Sequence, residues 1–158
     1  TEGLRVSIVR YFNSYGPHLD EKGYGSVIAN FIRQARDGDP LTVHGDGLQT
    51  RCFTFVADTV RGTILAGTKD EALGSVFNIG SNFEISIADL ARLILDKTKS
   101  SSAITNVSYE QRYGTSFEDT RRRVPSLDRA RNVLGYLPTI DLAEGLDRTL
   151  AWWNTVHT

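Results

Sequence analysis

The sequence predicts an α/β fold, and three observations carry that reading. Short apolar, β-branched runs alternate along the chain with stretches of helical 3-4 apolar spacing. The helical stretches open at Ser or Asp caps, and two of them close at Gly and Pro. The chain has 158 residues, 40% of them hydrophobic, which is one domain's worth of core.

The elements follow in order. Leu4 to Arg10 (LRVSIVR) reads as a strand, and Asn13 to Gly25 as a loop. Ser26 to Asp37 places Val27, Ile28, Phe31, Ile32 and Ala35 at helical spacing, with Gly38 and Pro40 as the stop. Leu41 to His44 is a short strand, followed by a Gly-Asp-Gly turn. Cys52 to Val56 reads as a strand, and Asp58 to Gly67 as a helix capped by Asp58. Ser75 to Ile79 is a strand, and Ser86-Ile-Ala-Asp89 resembles a capping box for a helix running to about Lys99. Thr105 to Tyr109 alternates weakly, as a strand would. Asp128 to Leu134 is a short helix closed by Gly135 and Pro138, and Asp141 to Glu144 caps a last helix through Trp152 and Trp153.

Composition excludes several classes. Eighteen basic against nineteen acidic residues give a formal net charge of -1, which disfavours a nucleic-acid binder. The single cysteine excludes an internal disulfide framework and a CxxC site. No apolar run approaches the roughly 20 residues of a membrane span. No signal-peptide pattern opens the chain, so a cytoplasmic protein is expected. Arginine outnumbers lysine 14 to 4, a bias that suits phosphate binding and equally a GC-rich genome. The chain has no methionine and enters a strand by Leu4, as a chain would whose first part lies elsewhere.

The chemical motifs are those of a binding site. There is no G-x-G-x-x-G, no P-loop, no Tyr-x-x-x-Lys and no G-x-S-x-G, and the three histidines form no ligand pair. No catalytic residue and no metal ligand is therefore assigned. Arg10-Tyr-Phe-Asn13-Ser-Tyr-Gly-Pro17 follows a strand, where open α/β sheets bind ligands, although Asn, Gly and Pro also make plain turns. In Leu41 to Asp58, a strand edge offers backbone groups to a base, His44 a ring to stack on it, and Arg51 a fork for a diphosphate. The alternative is a hairpin connection with a solvated arginine. Arg121-Arg122-Arg123 suits a diphosphate too, or a solvated loop paired with Glu118 and Asp119. Cys52, Trp152 and Trp153 read as packing.

Five blocks, taken in order, carry a resemblance: RYFNSYGP, VIANFIRQARDGDPLTVHGDGLQTRCFTFVAD, FNIGS, DTRRRVPSLDRARNVLGYLP and LAEGLDRTLAWW. Together they resemble the C-terminal part of the extended short-chain dehydrogenase/reductases that act on nucleotide sugars, nearest the 4-epimerase and glucuronate-decarboxylase branch. The resemblance implies a late Rossmann strand and loop in residues 1–17 and a substrate-binding domain in 18–158. The nucleotide-binding βαβ units, the glycine-rich NAD loop and the Tyr-x-x-x-Lys pair would lie upstream.

It implies that Asn13 and Asn30 meet the diphosphate-sugar, that Thr42, Val43 and His44 meet the base, and that Arg51 with Arg121 or Arg122 holds the phosphates. Tyr11 and Phe12 would lie at the nicotinamide end of NAD. The ligand would be a UDP- or dTDP-sugar, and the intact enzyme a homodimer. In such enzymes NAD oxidises a sugar hydroxyl, with the tyrosine as base, and later returns the hydride. This chain alone would be inactive. It departs from the family at His44, where Tyr or Phe is usual, and at Ser126, where Asp is usual. A second reading is a stand-alone nucleotide-diphosphate-binding module, and a third is a gene remnant.

Overall fold

The computed structural model describes residues 3–19, 26–110 and 119–156. Strands β1 (Ile8–Tyr11) and β2 (Ser14–Tyr15) come first, then helix α1 (Val27–Asp37) and strands β3 (Leu41–His44), β4 (Thr50–Cys52) and β5 (Thr54–Phe55). Helix α2 (Val56–Thr68), β6 (Val76–Ile79), β7 (Glu84–Ser86), α3 (Ile87–Thr98), β8 (Ile104–Val107) and β9 (Arg122–Arg123) follow. A π-helical turn, Ala130–Leu134, precedes the last helix, α4 (Leu142–Val156). The fold is α/β, as the sequence predicts.

Local chemistry sets the helix ends. Ser26 caps α1 by accepting from the Ala29 N–H, and Gly38 ends it in the left-handed region. Ser86 caps α3, its Oγ accepting from Asp89 N at 3.0 Å and donating to Asp89 Oδ2 at 2.7 Å. Asp141 Oδ1 accepts from Glu144 N at 2.8 Å at the head of α4.

The strands join mostly in parallel. β1 pairs with β6, β2 with β5, and β3 with β8, while β4 lies between antiparallel β7 and parallel β9. Two buried clusters hold these layers. In one, Ile28, Phe31, Leu41, Val43, Leu90, Ile94, Leu146 and Trp153 lock α1, α3 and α4 onto β3. In the other, Phe77, Ile79, Leu134 and Tyr136 pack with Ala66 and Val9, so β1 shares its core with elements far beyond residue 17. Each such aliphatic or aromatic side chain contributes roughly 1.5–3 kcal/mol on burial.

Three expectations are corrected. The first strand begins at Ile8, not Leu4, because its ladder partner β6 begins only at Val76. Ahead of that register, the Val6 carbonyl is taken by the turn residue Gly74, and Leu4 and Val6 are exposed. The run from Cys52 to Val56 is not one strand. Cys52 pairs with β7, Thr54 pairs with β2, and Val56 already belongs to α2. Asp58 is not the N-cap of α2, a place held by Phe55 without a side-chain bond. Asp58 is instead buried, because its carboxylate accepts from a distant segment: Thr139 N and Ile140 N to Oδ2 at 2.9 and 3.0 Å, and Thr139 Oγ1 to Oδ1 at 2.9 Å. Smaller shifts place the eighth strand at Ile104–Val107 and add the short strand β2 within the expected loop, of which residues 20–25 lie outside the described residues.

Candidate functional site

The candidate site forms where β3 ends and β4 meets β9. Leu41 and Val43 point into the core, while Thr42 and His44 lie half-buried on the other face. The β3–β8 ladder takes the N–H groups of Leu41 and Gly45, so Thr42 and His44 turn their backbone to the opposite edge. Gln34 on α1 meets that edge: its Oε1 accepts from Thr42 N at 3.1 Å, and its Nε2 donates to Thr42 Oγ1 at 2.9 Å. Asn30, one turn earlier on α1, shares the face that carries Gln34. Val43 turns its side chain into the core and pairs with Asn106 in the β3–β8 ladder.

The Gly-Asp-Gly turn carries the chain to β4. Asp46 Oδ1 accepts from Leu48 N at 2.9 Å, and both Asp46 oxygens accept from Arg121 Nη1 at 2.7 and 2.8 Å. Those bonds hold the Asp46 carboxyl below its ordinary value. Parallel pairing of β4 with β9 sets Thr50 beside Arg122 and Arg51 beside Arg123. The arginine run and Arg51, far apart in sequence, thus share one ladder.

Arg51 is only 7% exposed and already bonded. Its Nη1 donates to the carbonyls of Thr50 and Thr120 at 2.8 and 2.7 Å, and its Nη2 to Asp119 Oδ1 at 2.6 Å. Of its guanidinium's five N–H groups, Nε–H and one Nη2 hydrogen have no partner among the described residues. Arg122 forks onto Glu84, with Nε and Nη2 at 2.9 to 3.1 Å from its oxygens, and Thr50 donates to the same carboxylate. The hydrogen bonds from Thr50 and Arg122 hold Glu84 below its ordinary value.

Arg123 is exposed and makes no ion pair among the described residues. Among the described residues, the cluster sets four arginines against the carboxylates of Asp46, Glu84 and Asp119, and the arginine without an acidic partner is Arg123. Arg121 and Arg122, the two arginines that the resemblance offers for the phosphates, are paired with Asp46 and Glu84. The β4–β9 register sets Arg123 on the face of Arg51 and Arg122 on that of Thr50.

The remaining residues sit at the end of β1. Asn13 adopts a left-handed φ of 40°, which Asn tolerates, and its Nδ2 donates to the Cys52 carbonyl at 2.8 Å. It therefore ties the β1–β2 turn to the neighbour of Arg51. Tyr11 is half-exposed, its hydroxyl 3.0 Å from Thr63 Oγ1. Phe12 donates its N–H to the Ile79 carbonyl at 3.1 Å and packs over Gly80, where an added Cβ would lie 3.0 Å from Phe12 Cβ. Burial, with Glu84 nearby, pushes the Cys52 thiol up, which fits a packing residue. Ser126 accepts from Asp128 N at 3.4 Å and donates to Asp128 Oδ2 at 2.8 Å, so it caps the following turn.

Tyr11 and Phe12 offer a rim and no phosphate cradle, and the sequence has no glycine fingerprint. These residues do not by themselves make a dinucleotide site. Among the described residues, no group of His, Cys, Asp or Glu could hold a metal ion, and no helix is long and apolar enough to cross a membrane.

Comparison with known proteins gives the same family as the sequence blocks. The chain is 42% identical over 156 residues to a UDP-N-acetyl-α-D-glucosaminuronate decarboxylase of Bacillus cytotoxicus, covering 99% of this chain and 48% of the relative. Among solved structures, it resembles a UDP-glucose 4-epimerase of Thermotoga maritima in complex with UDP-glucose (28% identity, TM-score 0.88, 99% of this chain and 48% of that one). It also resembles a UDP-glucuronic acid 4-epimerase of Bacillus cereus, solved with UDP-glucuronic acid and NAD (27% identity, TM-score 0.85, 98% and 46%). The chain thus spans about half the length of these proteins. A family model for GDP-mannose 4,6 dehydratase matches residues 1–149, and the chain belongs to that family, within the extended short-chain dehydrogenase/reductases that act on nucleotide sugars.

Proposed function

We propose that this chain is the nucleotide-sugar-binding portion of an NAD-dependent enzyme of the UDP-glucuronate decarboxylase or 4-epimerase type. The observation that carries the reading is the pairing of Arg51 with Arg123 on one ladder face. A nucleoside diphosphate has a matching layout: a flat base with amide-like edges joined to a compact anion.

The residues divide the work. The Thr42–His44 edge and the His44 ring receive the base, with Thr42 N–H already committed to Gln34. The remaining N–H groups of Arg51 and the exposed fork of Arg123 receive the diphosphate. Arg121 and Arg122 stay with Asp46 and Glu84 and shape the rim. Asn13 and Asn30 flank the path toward the sugar, and Tyr11 and Phe12 border the cofactor. Holding the diphosphate fixes the reacting sugar carbon at a distance, so remote binding energy serves orientation.

The part of the enzyme that holds NAD belongs to the length this chain does not span, and no chemical step is assigned to the residues here. The names of the relatives and structural neighbours support a UDP- or dTDP-sugar. Residues 1–17 with their packing partners make the Rossmann-side layer, and the remainder the substrate side. The intact enzyme is a homodimer in the cytoplasm.

Calorimetric titration of the purified chain with UDP, uridine and dTDP tests the reading. UDP is expected to bind about tenfold more tightly than uridine, from added charge-assisted hydrogen bonds. Incubation with NAD and UDP-glucuronate is expected to give no turnover. Absence of UDP binding overturns the site, and turnover by the chain overturns the division of labour.

A further inference from the structure

A line of hydrogen bonds runs from the end of β3 to Arg51 through two residues given no role so far. The His44 carbonyl accepts from Gln49 Nε2 at 2.8 Å, and the same Nε2 donates to the Tyr109 hydroxyl oxygen at 2.9 Å. Tyr109 donates its own hydrogen to Asp119 Oδ2 at 2.7 Å, and Asp119 Oδ1 accepts from Arg51 Nη2 at 2.6 Å. Each direction follows from chemistry. An amide nitrogen only donates, so the phenol oxygen accepts, and its hydrogen is free for the carboxylate. Burial and the adjacent Asp119 raise the Tyr109 phenol far above its ordinary value, so it keeps that hydrogen at neutral pH.

The line is also sterically fixed. Gln49 is 4% exposed and both its amide hydrogens are spent. Rotating that amide by 180° would set its oxygen against the His44 carbonyl. The Tyr109 ring lies edge-on to His44 with centroids 6.3 Å apart. It occupies the space over Gly45, where an added Cβ would come within 2.5 Å of the ring. Gly45 has φ +71°, so both its backbone and its neighbour require glycine.

We infer that Tyr109 and Asp119 are positioning residues, holding the Arg51 guanidinium at a set distance from the end of β3 so that one ligand engages both. The inference rests on the assignment of base and diphosphate made above. It has an unusual sign. Asp119 is an anion beside a proposed anion site, so if charge alone mattered, removing it would tighten diphosphate binding. If its place is to orient Arg51, removing it weakens binding.

The test is titration of the purified chain with UDP and with uridine, followed by calorimetry for the first and NMR for the second. Wild type, Tyr109→Phe and Asp119→Asn are compared, with thermal unfolding of each. UDP affinity is expected to fall about tenfold in Tyr109→Phe and about fivefold in Asp119→Asn, with uridine affinity within about twofold in both. A merely structural role would lower uridine and UDP affinity together, and that outcome overturns the inference. UDP affinity unchanged in Tyr109→Phe, or tighter in Asp119→Asn, also overturns it while leaving the site assignment standing. If Tyr109→Phe fails to fold, the sign of the Asp119→Asn effect decides. A wild-type chain that binds no UDP overturns the site assignment and this inference with it.

Discussion

Arg51 and Arg123 stand opposite each other across the β4–β9 ladder, and only Arg51 carries an acidic partner among the described residues. The two arginines therefore answer differently to removal. Arg123→Ala deletes an exposed charge that nothing in the described fold uses, so the melting temperature should move by no more than about 2 °C. UDP affinity should fall about tenfold, and the difference from wild type should narrow as salt is raised. Arg51→Ala leaves Asp119 with the Tyr109 hydroxyl alone and takes a donor from two carbonyls, and should cost about 2–3 kcal/mol of stability as well as affinity. Thermal unfolding and calorimetry on the two variants separate these outcomes.

Asp58 ties α2 to the segment entering α4. Burial raises its carboxyl, but the bonds from Arg61, Ile140 and Thr139 outweigh that and hold it below its ordinary value of 3.8. A carboxyl lowered by folding adds stability that is complete above the unfolded value and is lost as pH falls through the folded one. Asp58→Asn should therefore be less stable than wild type at pH 7 by about 2–3 kcal/mol, with Thr139 and Ile140 N–H facing a weaker acceptor. That gap should shrink as the pH is taken below about 4. Urea unfolding at pH 7 and at pH 3 measures both; a gap that widens in acid would contradict the account.

Gly145 lies inside α4, where alanine normally gains about 1 kcal/mol. Here an added Cβ would fall 2.0 Å from the Tyr15 hydroxyl and 3.0 Å from the Phe55 ring. Tyr15 is buried, and its hydroxyl donates to the Leu142 carbonyl at 3.3 Å. Gly145→Ala should accordingly be destabilised by about 1–3 kcal/mol despite the helix preference. A higher melting temperature for this variant would show that α4 shifts freely over β5.

These cases show what the sequence makes legible. Ser26, Ser86 and Asp141 cap helices through bonds three residues long, so their roles could be read locally. Asp58 looked like a cap for the same reason, but its partners stand 81 and 82 residues away. The apolar β-branched run starts at Leu4 but the strand starts at Ile8, because strand propensity does not tell where the partner begins. The arginine run was visible, but choosing among Arg121, Arg122 and Arg123 needs the β4–β9 register, which no local pattern contains. No local pattern marks Tyr109 and Gln49, because their bonds join segments that only the fold brings together.

The most direct test of the central claim is a UDP titration followed residue by residue in two-dimensional NMR spectra of the purified chain. The account predicts the largest shifts at the backbone of Thr42 and His44 and at the guanidinium groups of Arg51 and Arg123, with little change on α4. Saturable shifts confined to another face, or none at all, would contradict it.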